Sequence, residues 1–439
     1  MQILSSLKDQ LITKIFLDEA GCIEQIQQVV DQINIQKRPV LIICDNNTKK
    51  VAGDRVLSAL TKAGMDASFM ILEPTLGDPI PADYMIVKKI GQALLSKDAF
   101  PVAVGAGTIN DLVKRAAFEI DIPYVCVPTA SSIDGYCSSG ASLIKNSLKT
   151  TLECPPPVAV VADPLILQTA PQCMTASGYG DLFAKLASGI DWKLADYLGV
   201  ESIHPVAWSL VQDDLVAWLE NPEEVFNPES ETFYNLFKGL SFSGFAMQVY
   251  KDSRPASGAE HMISHIWEME HLSVDGVHVS HGFKVALGTV IISSLMEKLF
   301  SYAPEDIDIE AILASRQTWE QREADIKEMF PDEPLQNSIL KISHSKWVED
   351  DVLVKRLELL RLALPNLQVM FKDRLHSTAH VVEQLEKARC PVALKDLGIT
   401  EERLKTTLVK AQMIRKRYTV LDVLYETGLL RKFIGELSL

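Results

Sequence analysis

The sequence predicts two domains of different class: an N-terminal α/β domain on a parallel sheet, residues 1–163, and an all-α C-terminal domain, residues 164–439. Short runs rich in Val and Ile alternate with longer helical patterns between residues 37 and 163, which is how a buried parallel sheet with covering helices reads. The proline-rich CPPPVAVVADP at 154–164 then ends regular pairing. Beyond it, β-branched runs thin out and amphipathic stripes such as Tyr179, Leu182, Phe183, Leu186 and Ile190 take over.

In chain order the expected strands are PVLIIC, DASFMIL, PVAV, PYVCV and PVAVVA, with helices over residues 51–64, 84–95 and 108–120 between them. In the second half, acid- and proline-rich patches at 221–231, 303–309 and the FPDEP at 330 read as connections between helices. There is no internal repeat or low-complexity tract.

A chain of 439 residues exceeds one ordinary core, and 47% hydrophobic against 23% charged residues describes a compact, well-buried protein. With 43 basic and 58 acidic side chains the net charge is −15, which disfavours nucleic acid or an anionic membrane as partner. A small anionic substrate then requires local cations. Seven cysteines, an odd number without a C-x-x-C, indicate neither a disulfide framework nor a zinc ribbon, and a reducing cytoplasm is the expected compartment. The opening MQILSSLKDQLITKIF has interspersed charges, and no run reaches the roughly 18 apolar residues of a membrane span.

The strand PVAV runs directly into Gly105, Ala106, Gly107, Thr108 and the helical INDLVKRAAFEI. A glycine turn feeding a helix N-terminus lets backbone N–H groups approach a diphosphate, and the helix dipole favours its charge. A plain tight turn gives the same letters: Asn110 stands where the dinucleotide fingerprint has its third glycine, and no acid follows about 20 residues later. An acid stands earlier, Asp45 after LIIC, where it suits either a ribose hydroxyl or a helix cap. After PYVCV, the hydroxyl-rich PTASSIDGYCSSG at 128–140 suits a polyhydroxylated or phosphorylated ligand, or a turn.

His261 and His265 lie four apart in SGAEHMISHIWEME and share one helical face; His281 follows in SHGFK and Asp181 precedes in SGYGDLFAK. Three imidazole or carboxylate ligands with one open position are how a catalytic divalent metal is held. The order Glu260, His261, His265 is not H-E-x-x-H, and the single Glu268-x-x-His271 lacks the second pair that a di-iron bundle needs.

Five motifs in one order, GAGTINDLVK, PTASSIDGYCS, GYGDLFAK with DWKLAD, SRPASGAEHMISHIWEME and SHGFKVALG, resemble the sn-glycerol-1-phosphate dehydrogenases. These belong to the group of glycerol dehydrogenases, iron-type alcohol dehydrogenases and dehydroquinate synthases. The resemblance runs from Asp45 to RKRYTVLDVL near 415, and DWKLAD and SRPASGAEH single out the glycerol-phosphate branch. It implies a dehydroquinate synthase-like fold, with a Rossmann-like domain first, and Asp181, His261 and His281 as ligands of zinc or nickel. His265 and Asp134 would stand near substrate. The contacts to NAD or NADP would fall on Asp45, Gly105, Ala106, Gly107, Thr108, Ile109, Thr129, Ala130, Ser131, Ser132 and Ser138. Ala106 departs from the family's usual glycine, and a homodimer is implied.

On that reading the metal polarises the C2 carbonyl of dihydroxyacetone phosphate and hydride passes from the nicotinamide, with substrate expected between the two domains. His265, Asp134 and Asp181 are the candidate catalytic and substrate residues. Arg254, with Lys284 behind it, is the candidate for the substrate phosphate, and each equally suits a structural ion pair. His204, His344, His376 and His380 are read as structural, and His271 and His278 as peripheral. Two alternatives share the metal site, a sugar-phosphate cyclase and a dehydrogenase of unphosphorylated glycerol or polyols. A non-catalytic metabolite binder has no need of three metal ligands. Asp45 favours NAD, because a carboxylate repels a 2′-phosphate.

Overall fold

The computed structural model describes residues 7–73, 80–145 and 148–437. One parallel sheet contains β1 (Ile15–Leu17), β2 (Val40–Asp45), β3 (Ala67–Leu72), β4 (Phe100–Gly105) and β5 (Val125–Pro128). After an antiparallel hairpin of β6 (Ala141–Lys145) and β7 (Leu148–Leu152), β8 (Ala159–Val161) completes it in the order β1-β8-β5-β4-β2-β3. The five expected strands are all present; β1 is three residues long, too short to show a period.

Burial explains why these strands read as unbroken apolar runs. Val40, Ile42, Cys44, Val102, Val104, Val125 and Val127 pack with Ile26, Val30, Val56 and Leu60 from α1 (Ile26–Ile33) and α2 (Asp54–Lys62) on one face. The alternate residues Leu41, Ile43, Ala103, Cys126 and Val160 are also at most 1% exposed, so both faces of the sheet are covered. The longer helices that follow in this region are α3 (Tyr84–Lys97) and α4 (Gly107–Glu119), and a short helical segment, Asn46–Thr48, follows β2. Chain order reverses between β2 and β4, since β3 lies on one side of β2 and β4 on the other. Their carboxyl ends carry Asp45 and Gly105, at the place where open α/β sheets bind ligands.

From Pro164 onward the chain is mostly helical, with α5 (Gln172–Tyr197), α6 (Glu231–Tyr250), α7 (Ala259–Met269), α8 (His281–Phe300), α9 (Glu333–Lys346), α10 (Asp350–Arg374), α11 (Glu401–Met413) and α12 (Val420–Glu426). It is not entirely so: β9 (Ser273–Val274) and β10 (Val277–His278) form a small hairpin joining α7 to α8. Its tip, Asp275-Gly276 with φ of 50° and 79°, is the left-handed pair that a tight hairpin turn requires. Two compact units are defined by contacts, Met1–Leu182 with Trp218–Asp252, and Phe183–Ala217 with Ser253–Leu439. Helix α5 is continuous through the division. Among the described residues no helix is long and apolar enough to cross a membrane.

Helix α5 lies tightly on the segment after β5. A Cβ on Gly178 would stand 1.8 Å from the Ser131 carbonyl oxygen, where no relaxation of a side chain can help. Gly178→Ala is expected to lower the unfolding free energy by about 1–3 kcal/mol through overpacking. Gly435→Ala, which meets nothing within 4 Å, should stay within about 0.5 kcal/mol of the parent. Urea unfolding of the two variants side by side tests this; equal losses would mean the contact at Gly178 is not tight.

Candidate active site

Three segments stand side by side at the carboxyl ends of β5, β4 and β2. The glycine turn leads into α4, whose N-cap is Ala106 at φ −81°, an ordinary extended conformation in which alanine costs nothing. No N-cap side chain accepts from the first turn of α4, so the helix start keeps the donors and dipole that suit an anion. The flanking glycines serve close packing: a Cβ on Gly105 would meet Ile109 at 2.5 Å and one on Gly107 would meet Ile133 at 2.4 Å.

The segment after β5 is tied to this turn. The Thr129 N–H donates to the Gly105 carbonyl at 3.2 Å. Lys114, 1% exposed on α4, donates to the carbonyls of Gly135 and Gly140, both at 2.9 Å, and pairs with Asp111 at 3.2 Å. Asp111 in turn accepts from the Ser142 N–H at 2.9 Å. Sequence reasoning missed this lysine, which stands beside Arg115 in LVKRAA with no local sign of what it binds. Within the loop, Ser132 lies 3.4 Å from the Tyr136 hydroxyl and Ser138 donates to the Gly135 carbonyl. Among the described residues the buried Ser131 hydroxyl has no hydrogen-bond partner. Asp45 is a helix cap: its Oδ1 accepts from Asn47 N–H at 2.8 Å, Thr48 N–H at 2.6 Å and the Thr48 hydroxyl at 3.0 Å. All three bonds fall on one oxygen.

The two histidines of the expected metal set stand on neighbouring helices. His261 is in the first turn of α7 and His281 opens α8, with ring centroids 5.3 Å apart. Each ring is oriented by a carboxylate on its Nδ1: Glu260 at 2.7 Å for His261, Glu268 at 2.8 Å for His281. Such partners fix the tautomer and leave Nε2 as the ligand atom. Burial pushes Glu260 up, but the bond to His261 and the Gly258 N–H hold its carboxyl below the usual range. The helices meet because α8 presents His281, Lys284 and Gly288 on one face: Lys284 pairs with Glu268 at 3.3 Å, and Gly288 lets α8 reach the Glu260 backbone, where a Cβ would be 2.7 Å from its oxygen.

Asp181 is wholly buried on α5, and its Oδ2 accepts from the Asp134 N–H at 3.0 Å. One ligand atom each from Asp181, His261 and His281 lies within 4.8 Å of the others, and no other such group occurs among the described residues. His265 lies near, its ring 6.2 Å from that of His261. Burial, then the charge of Arg415, hold its imidazole well below the usual range, so it is neutral at ordinary pH; among the described residues its buried Nδ1 has no hydrogen-bond partner.

The structure gives Arg254 another occupation than substrate phosphate. Its side chain is 0% exposed, 3.1 Å from Glu201, and its Nη2 donates to the Asp191 carbonyl at 2.9 Å. These contacts correspond to the structural ion pair that the sequence offered for Arg254 beside the phosphate role. Arg415, exposed and close enough to act on His265, is the cation that sequence reasoning passed over. Of the remaining histidines, His204 caps its helix by accepting from Ala207 N–H at 3.3 Å, and His344 and the His376–His380 pair make ring contacts.

The pattern of iron-containing alcohol dehydrogenases matches residues 18–171. Among curated relatives, the glycerol-1-phosphate dehydrogenase (NAD(P)+) of Bacillus subtilis (strain 168) is 35% identical over 261 residues, which cover 59% of this chain and 66% of that protein, just under two thirds of its length. The enzyme of the same name from Pyrococcus furiosus is 33% identical over 274 residues, covering 61% of this chain and 75% of that one. Among solved structures, a probable glycerol dehydrogenase from Sinorhizobium meliloti 1021 superposes with a TM-score of 0.60 at 16% identity, covering 97% of this chain and 98% of that one, a likeness of fold.

Asp191 ties the site's helices together and supplies a pH test. Its two oxygens accept from the N–H groups of Ala259 and Val420, both at 2.7 Å. Burial and the charge of Glu260 push its carboxyl up from 3.8 to about 7, against Arg254 and the two donors. A folded value above the unfolded one means that this group's stabilisation is full below about pH 4 and is lost as pH rises through about 7. Asp191→Asn does not titrate and places an amide against one of the donors, so it should be the less stable protein at about pH 5, with the gap closing by about 1–3 kcal/mol at about pH 8. Urea unfolding at both pH values decides; a constant gap would rule out the raised proton affinity.

Proposed function

This chain belongs to the glycerol-1-phosphate dehydrogenase family, and we propose that it reversibly reduces dihydroxyacetone phosphate to sn-glycerol 1-phosphate with NADH or NADPH, at a divalent metal held by Asp181, His261 and His281. The observation that carries the reading is the pair of imidazoles, each locked at Nδ1 by a glutamate, with the buried carboxylate of Asp181 within ligand reach. That donor set fits a borderline divalent ion such as zinc or nickel, and three protein ligands leave a position for substrate. Bound there, the ion supplies Lewis acidity to the C2 oxygen. The nicotinamide supplies or receives the hydride.

The chain's own groups do the rest. The first turn of α4 after Gly105, Ala106 and Gly107, with Thr108 and Ile109, holds the diphosphate; Thr129, Ala130, Ser131, Ser132 and Ser138 line the same ligand, and the partnerless Ser131 hydroxyl supports that assignment. Asp45 spends one oxygen as a cap and turns the other to the ribose, which favours NAD. His265 is neutral, so it can accept or return the proton of the C2 hydroxyl, and its buried Nδ1 gains its partner from substrate. The Asp134 N–H holds Asp181 in place, and its carboxylate orients the substrate hydroxyls. Arg415, together with Lys284, balances the substrate phosphate. The chain works as a homodimer, a reading to which the exposed stripe of Val352, Leu359, Leu362 and Val369 along α10 gives a surface.

Two tests follow. Protein stripped with a chelator should be inactive and regain metal-dependent oxidation of NADH or NADPH with dihydroxyacetone phosphate when zinc or nickel is returned, yielding the sn-1 product. A cyclase would show no net change in cofactor absorbance, and a polyol dehydrogenase would be indifferent to Arg415→Ala, which here should raise KM far more than it lowers kcat. Glu268→Gln should raise the metal concentration for half-maximal activity by about 10–100-fold by loosening His281; unchanged metal dependence would remove Glu268 from the site.

A further inference from the structure

A cavity of about 610 Å³ lies among the C-terminal helices, and none of Asp181, His261, His265 or His281 lines it. Its volume is within the range of small-molecule sites, about 300–1,000 Å³. Its wall carries four cations, Arg316, Arg322, Lys346 and Arg431, against three carboxylates, Asp325, Asp422 and Glu426.

Every one of those carboxylates is already engaged. Asp422 accepts from Lys346 at 2.6 Å and Gln412 at 2.8 Å on one oxygen, and from the Thr419 N–H at 2.8 Å on the other. Glu426 is held by Arg356 and by the Tyr418 hydroxyl at 2.6 Å. Asp325 is held by Gln317 at 2.9 Å and by Arg431 at 3.2 Å. Arg316 pairs with Asp350 and lies over the Trp347 ring.

Arg322 is different. It is 3% exposed, yet among the described residues it forms no ion pair; one nitrogen donates to the neutral Gln412 amide, and its guanidinium sits 4.3 Å from the centre of the Tyr425 ring. A buried guanidinium has five donors and needs an anion to offset its desolvation. A second group on the wall is the Ser343 hydroxyl, in a residue 5% exposed, which has no hydrogen-bond partner among the described residues.

We propose that this cavity is a second ligand site, for a small planar monocarboxylate whose carboxylate is held by Arg322. Guanidinium and carboxylate match as a two-point pair. The single surplus positive charge of the wall suits a monoanion; a phosphate dianion would leave an unbalanced charge beside Asp325 and Asp422. The rings of Trp347, Tyr418 and Tyr425 offer faces to a planar body, and Ser343 offers a hydroxyl to its polar edge. The site is separate from the proposed dehydrogenase centre and does not depend on it.

Calorimetric titration of the full chain with 4-hydroxybenzoate, benzoate, cyclohexanecarboxylate and inorganic phosphate tests this. The expected result is saturable binding of one planar carboxylate per chain, tighter than its non-planar counterpart and uncontested by phosphate. Arg322→Gln should weaken it by about tenfold or more. Since that change touches a buried residue, Ser315→Trp provides a second arm: Ser315 is exposed at the mouth, so the variant should melt as the parent does and lose binding. No saturable carboxylate binding, stronger binding of phosphate, or binding undiminished in both variants would overturn the proposal.

Discussion

The buried carboxylate of Asp191 is the constraint on which the helical half of the site depends. It sits on α5 and receives the first N–H groups of both α7 and α12, through Ala259 and Val420. Helix starts are short of partners for these donors, and a carboxylate satisfies them while meeting the positive end of each dipole. Arg254 closes the same knot through the Asp191 carbonyl, and Arg417 reaches back from the far strand of sequence to Ser253 at 2.7 Å and to Ser257. The motifs DWKLAD, SRPASGAEH and RKRYTVLDVL are therefore one structural object. They hold the start of α7, with Glu260 and His261, against Asp191.

Around the histidines, His261 and His281 are each oriented by a carboxylate of their own. Glu260 and Glu268 each take one ring nitrogen, and Lys284 offsets the second glutamate. His265 has no such carboxylate on its Nδ1, and it lies within reach of Arg415, which disfavours its protonation. Histidines on one short stretch thus receive different roles from their second partners rather than from their own chemistry. A protein with a net charge of −15 can still present cations where an anion must bind, because local pairing rather than total charge sets the field at short range.

In the sheet-bearing unit the same economy is achieved with backbone. The glycines at 105 and 107 let the side chains of Ile109 and Ile133 pack close to the turn, and Ala106 between them has ordinary dihedrals. Lys114 then fastens the loop after β5 by its carbonyls, and Ser132 and Ser138 bond within the loop. Ser131 differs from them, held by its backbone against Gly178 while its hydroxyl has no hydrogen-bond partner among the described residues.

What the sequence by itself determined is what short-range physics writes into it. Period and composition gave the five expected strands, the helices between them and the change to a helical second half, since burial on both faces demands continuous Val and Ile runs. The glycine turn and the histidine spacing were legible for the same reason: each is a local requirement of backbone or helical face. Tertiary structure alone decided the rest. Whether Arg254 serves a ligand or a fold depends on Glu201 and Asp191, 53 and 63 residues away. Whether Asp45 is a cap depends on a backbone turn that several sequences could make. The carboxylates behind His261 and His281, the lysine beneath the loop and the bond of Arg322 to Gln412 are all products of packing between distant segments, and no local pattern encodes which distant group a buried polar atom will meet.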